Sequence, residues 1–215
     1  RTLIDKAAPD ERVREGLEAV DYWTQLHERR LEHGRQPSMR VARVTQAAKE
    51  SEPSDVDVDV VSVGSTAPRS GGRLFGALVH EVLAIVALDA SEADIGAAVA
   101  FKARVLGAHG VNHATVAAVV RDTLRHPLVD AAARAHRAGR CRRESAVTLR
   151  LDDGTWVEGQ FDLAFEDETG WTVVDFKTDA DLDASFDVYR RQVGLYARAI
   201  ATATGRPARA VLMRV

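Results

Sequence analysis

The run Val173-Val174-Asp175-Phe176-Lys177-Thr178-Asp179 constrains this chain more than any other stretch. Two β-branched residues lead into a carboxylate, an aromatic ring and an ammonium, the pattern of a buried strand that turns polar at its end. Side chains alternate across a strand, so Asp175 and Lys177 share one face while Phe176 enters the opposite layer. A carboxylate beside a lysine at a strand end suits a divalent cation and a polarised phosphate, but a surface ion pair has the same pattern. What stands around the run decides between them.

From Glu144 onward the apolar period is two. Ser145–Leu151 and Thr155–Phe165 are predicted strands joined by the turn Asp152-Asp153-Gly154, and Glu166–Gly170 turns the chain into Trp171–Lys177. An amphipathic helix over about Ser185–Ala203, closed by Gly205 and Pro207, then precedes a last strand, Ala208–Arg214. A crossover helix lets that strand run parallel to a neighbour, which gives a mixed sheet with helices packed on it.

Before Glu144 the period is helical. Val13, Leu17, Val20, Trp23 and Leu26 mark a helix from about Asp10 to Arg35, stopped by Gly34 and Pro37. Met39–Val44 suits a short strand, and the acids Glu52, Asp55, Asp57 and Asp59 suit a solvated linker better than a metal cluster. Ser65–Gly72 is a predicted loop, which divides the chain into a helical extension over residues 1–70 and a compact domain over residues 71–215. That domain opens with a helix, Arg73–Leu88, whose apolar face is Leu74, Leu78, Val82 and Ile85 and which carries Gly76, His80 and Glu81. Ser91 is the expected N-cap of a second helix to about Leu106, and two more follow near His113–Leu124 and Leu128–His136, split by Pro127.

Composition excludes several functions. Cys141 is the single cysteine, so neither an internal disulfide nor a four-cysteine zinc or iron–sulfur site can form. No apolar run is long enough to span a bilayer and no signal peptide is evident, so the expected location is cytoplasmic, away from membranes. A net charge of -3 argues against a uniformly basic nucleic-acid binder but allows a local basic groove, for which the acid-free segment Arg134–Arg143 is the candidate. A G-x-x-x-x-G-K-[ST] loop is missing, so the chain is no ATPase by itself, and its start at Arg1 suggests a fragment of a longer protein.

Four features combine in chain order: Gly76-Ala77-Leu78-Val79-His80, Gly159-Gln160-Phe161-Asp162, Asp175-Phe176-Lys177 and Gln192-Val193-Gly194-Leu195-Tyr196. Each has a plain structural alternative: a core histidine, a strand-end acid, a surface ion pair, a half-buried helix face. As a set they resemble the RecB-like branch of the PD-(D/E)XK nuclease superfamily, whose signature is G-x-x-x-H, G-x-x-D, D-x-K and Q-x-x-x-Y. The resemblance runs from about Gly72 to Val215, and Glu144 fits an acid often found before the first strand.

The resemblance implies a restriction-endonuclease-like αβββαβ core and a metal-dependent deoxyribonuclease, most simply an exonuclease, in DNA end processing and recombinational repair. It implies His80, Asp162, Asp175 and the Phe176 backbone carbonyl as ligands of Mg2+ or Mn2+, without an iron–sulfur cluster. Asp162, Asp175, Lys177, Gln192 and Tyr196 would be catalytic, with Lys177 orienting or deprotonating the water or stabilising developing charge. The implied partners are single-stranded DNA or DNA ends, a helicase region of the same chain as in AddA/RecB or UvrD-like enzymes, and a second helicase–nuclease subunit in some assemblies. Arg140, Arg142 and Arg143 are the candidate phosphate contacts. A catalytically inactive DNA-end-binding or scaffolding module with the same fold is the alternative.

Overall fold

The structure, a computed structural model, describes residues 10–50, 57–64, 72–178 and 182–215. Asp179, Glu52, Asp55 and all of the expected Ser65–Gly72 loop but Gly72 lie outside the described residues. The chain divides into two compact units, Arg1–Arg40 and Val41–Val215. Within the first, α1 (Asp10–Arg35) is a helix with no buried residue, so Val13, Leu17, Val20 and Trp23 are exposed on it.

The second unit runs β1 (Val41–Arg43), α2 (Val44–Glu50), β2 (Val58–Ser62), α3 (Arg73–Ile85), α4 (Glu92–Val105), α5 (His113–Leu124), α6 (Pro127–Arg137), β3 (Cys141–Arg150), β4 (Trp156–Glu166), β5 (Trp171–Lys177), α7 (Leu182–Thr204) and β6 (Ala208–Arg214). The strands form one mixed sheet. β3 and β5 pair antiparallel with β4, while β5–β6, β6–β2 and β1–β4 are parallel. The expected αβββαβ order is present, with helices on both faces.

The sheet begins earlier in the chain than residue 71. β1 pairs with β4 and β2 with β6, and Val58 and Val63 are buried, so residues from Val41 belong to the sheet unit and not to an extension. β2 was hidden in the acidic stretch because it is a terminal strand of the sheet, where outward charges such as Asp59 are ordinary. On α3 the buried face is Phe75, Leu78, Val79, Val82 and Leu83, whereas Leu74 and Ile85 are exposed. Ser91 caps α4 as expected, through a reciprocal bond pattern with Asp94.

Two apolar layers sandwich the sheet. One, under α3–α6, takes Leu163, Phe165, Val174, Phe176, Val211 and Met213; the other, under α2 and α7, takes Val157, Phe161, Ala164, Val173, Ala210 and Leu212. β5 and β6 alternate regularly between layers, as strands must. β3 and β4 do not. Odd-numbered Cys141 and Leu163 face the α3 layer, but odd-numbered Leu149 and Phe161 face the α7 layer. Both strands turn over at the Glu144–Asp162 level, where the ladder omits a pair and Glu144 has φ of 44°.

β3 starts at Cys141, so Arg142, Arg143 and Glu144 lie inside the strand and not ahead of it. The Arg143 guanidinium donates to the carbonyls of Leu83 and Val86, which end α3 and have no helical partner of their own. Arg143→Ala should therefore lower stability by about 2 kcal/mol, the scale of charge-assisted hydrogen bonds to otherwise unmet carbonyls. Thermal or urea unfolding checks this.

Candidate active site

The antiparallel ladder of β4 and β5 ends at the pair Leu163↔Val174. One step further, Asp162 and Asp175 would be opposite, but there the strands part and form a fork. The Phe176 N–H, deprived of a carbonyl partner on β4, donates instead to Asp162 Oδ2 at 2.7 Å. On the next residue the Lys177 carbonyl accepts from Val215 N–H on the far side. Backbone groups alternate edges along a strand, so the Phe176 carbonyl points to the same edge as its N–H, into the fork.

Both helical layers reach the fork. From α3, His80 Nδ1 stands 3.7 Å from Asp162 Oδ2. Gly76, one turn earlier, lets α3 approach the end of β5, since a Cβ there would come within 2.5 Å of Thr178 Oγ1. From α7, Gln192 Nε2 donates to the Tyr196 hydroxyl at 3.1 Å, and both residues are buried. Gly159 makes room for that tyrosine, because a Cβ would meet Tyr196 Cε1 and Val44 Cγ2 at 2.8 Å.

The electrostatics are those of crowded acids. Asp175 is 2% exposed, and its Oδ2 lies in ion-pair contact with Lys177 Nζ. Burial, and then the Asp175 charge, push the Asp162 carboxyl well above the usual range, against the pull of Lys177 and the Phe176 N–H. For Lys177, burial disfavours the charge, but Asp175 and then Asp162 outweigh it and raise its pKa. Tyr196 is raised as well, chiefly by burial. Glu144 accepts from Gln160 Nε2 at 2.7 Å; burial raises its pKa, and Glu81 and Asp175 add to the rise.

Among the described residues no three His, Cys, Asp or Glu side chains form a cluster that could hold a metal ion. Lys177 takes the position beside Asp175 Oδ2 that a cation would otherwise take. The donor chemistry of the fork nevertheless fits a hard divalent cation: a buried carboxylate on Asp175, a part-buried one on Asp162, and a carbonyl aimed between them.

A family model of the PD-(D/E)XK nuclease superfamily matches residues 59–215. The chain belongs to that superfamily. A comparison with curated proteins finds no significant match. Members of the PD-(D/E)XK superfamily generally use divalent metals, and membership suggests nuclease activity.

Of the predicted site residues, His80, Asp162, Asp175, Phe176 and Lys177 gather at the fork, with Gln192 and Tyr196 beside it. The arginines do not. Arg143 caps α3, and Arg142 donates to the carbonyls of Gly139 and Cys141. Arg140 borders a separate hollow with Arg134 and Glu166–Thr169, at the hairpin end of β5 opposite to Lys177. A run of like charge shows composition, but strand pairing dictates which way each residue points. Three residues were not assigned a role from sequence: Glu81, ion-paired at 2.6 Å with Lys102; Glu144; and Tyr189, next to Lys177. In the sequence Glu81 only follows His80 in its helix, Glu144 fits an acid often found before the first strand of the family, and Tyr189 carries no signal.

Asp162 gives a pH prediction. An acid whose folded pKa is raised keeps its proton longer folded than unfolded, so its contribution to stability falls as pH rises above about 4 and levels off past the folded pKa. Asp162→Asn keeps an acceptor for Phe176 N–H and removes that ionisation. Without metal, the variant should have a higher Tm than the native chain at pH 8, with a smaller difference at pH 5. Thermal melts at both pH values check this.

Proposed function

We propose that this chain is the nuclease domain of a larger helicase–nuclease, of the RecB-like kind. It hydrolyses phosphodiester bonds in single-stranded DNA or at DNA ends with Mg2+ or Mn2+. The observation that carries the reading is the fork itself: a buried Asp175 with part-buried Asp162 and Lys177 gathered at parting strands. Burying like charges this way is costly unless a cation joins them. Support also comes from the G-x-x-x-H, G-x-x-D, D-x-K and Q-x-x-x-Y residues, whose glycines have a packing reason at Gly76 and Gly159.

Asp162, Asp175, the Phe176 carbonyl and His80 would hold the cation. When bound it lowers the pKa of a coordinated water and neutralises charge on the scissile phosphate. A cation would bind Asp162 as its carboxylate, the form that its raised pKa disfavours without metal. Lys177, with its raised pKa, works as an ammonium: it orients the water and stabilises charge developing on phosphate oxygens, and a base role is the weaker option. Gln192 fixes the Tyr196 hydroxyl by donating to its oxygen, which leaves the tyrosine O–H to donate to a phosphate or water. The first unit, α1 included, would belong to the preceding helicase region.

Cleavage of labelled single-stranded DNA with Mg2+ or Mn2+, and none with chelator, is the expected result. Asp175→Ala should abolish both the cleavage and any rise of Tm on adding the metal. Binding without cleavage by the native chain would instead favour the inactive end-binding module.

Lys177 separates turnover from binding. Lys177→Ala should lower kcat by about 100-fold or more, the usual worth of a positioned proton-transfer or oxyanion group. Affinity for a single strand should stay within about twofold, because one phosphate contact of several carries little of it. Single-turnover kinetics and anisotropy measure the two.

A further inference from the structure

Lys177 has two neighbours of different kinds. Asp175 Oδ2 attracts the ammonium by charge. From α7, the ring of Tyr189 lies with its centre 4.9 Å from Nζ, inside the roughly 6 Å over which a ring face attracts a cation. Only 14% of the Lys177 side chain is exposed, and such contacts are strongest where water is excluded. Tyr189 stands three residues before Gln192, on the helix face that also carries Tyr196.

The two contacts are not equivalent. Asp175 offers an oxygen that a divalent cation in the fork would claim, whereas a ring face is no ligand for a hard cation. A lysine ends a flexible four-carbon stem, so an ammonium held by Asp175 alone would lose its place once that oxygen was taken.

We propose that Tyr189 is a positioning residue for Lys177, its ring face keeping the ammonium at the end of β5 independently of the Asp175 oxygen. The effect on turnover rests on the nuclease reading. The effect on Lys177 position rests on geometry alone. A ring is needed and a hydroxyl is not, so Phe should replace Tyr189 and Leu should not.

The test compares Tyr189→Phe and Tyr189→Leu in the full chain. In metal-free protein, proton NMR of the Lys177 Cε methylene should show an upfield ring-current shift that the Phe variant keeps and the Leu variant loses. In Mn2+-dependent cleavage the Phe variant should stay within about twofold of native kcat. The Leu variant should lose roughly tenfold in kcat with KM little changed, within the range a desolvated cation–ring contact is worth. Identical Lys177 signals in native and Leu proteins, or a native kcat in the Leu variant, would overturn the proposal. A Phe variant as slow as the Leu variant would also overturn it, by giving the role to the hydroxyl. If the native chain cuts nothing, the nuclease reading fails and the NMR comparison alone decides the positioning. Should the Leu variant not fold, Tyr189→Met takes its place.

Discussion

The fork depends on one hydrogen bond that ought to be a ladder bond and is not. Past Leu163↔Val174, β5 leaves β4, and the Phe176 N–H would be a buried orphan without Asp162. By accepting it, the Asp162 carboxylate is tied to the end of β5, with the same oxygen 3.7 Å from His80 of α3. That single contact bridges the parted strands and orients an acid between them. The Phe176 carbonyl, on the same strand edge as that N–H, faces the same gap.

The layers then complete what the strands begin. α3 supplies His80 to one side of Asp162, and α7 supplies Tyr189 and the Gln192–Tyr196 pair to the other. Their close approach depends on missing side chains: Gly76 against Thr178, Gly159 against Tyr196 and Val44. The acids gathered here are held at a cost in desolvation, which appears as raised pKa values on Asp162 and Glu144. A protein keeps such an arrangement where the charge is used.

Much of this was legible in the sequence. β5 and β6 were readable to the residue, because a strand buried on both faces leaves a mostly apolar run between turn residues. The four motifs named the residues that meet at the fork, because spacing within a helix or strand fixes which side chains share a face. What failed were inferences about direction and edges. The arginines of the Arg134–Arg143 segment read as a groove wall, yet the turn-over of β3 sends Arg143 under α3. β2 read as linker because a terminal strand tolerates acids. Tyr189 was silent because its relation to Lys177 joins different elements and follows no periodicity.

The turn-over of β3 and β4 bears on how this chain can change length. Elsewhere in a hairpin a residue gained or lost is absorbed by the turn, and Asp152–Gly154 could take one without consequence for the fork. Between Arg143 and Ser145 the same event would slide the outer half of β3 by one position and exchange inside for outside along it. Leu149 and Val147 would face water, and Thr148 and Arg150 the α7 layer. Lineages carrying this domain should therefore vary freely in the β3–β4 turn and hold the count of residues across the Glu144 level constant.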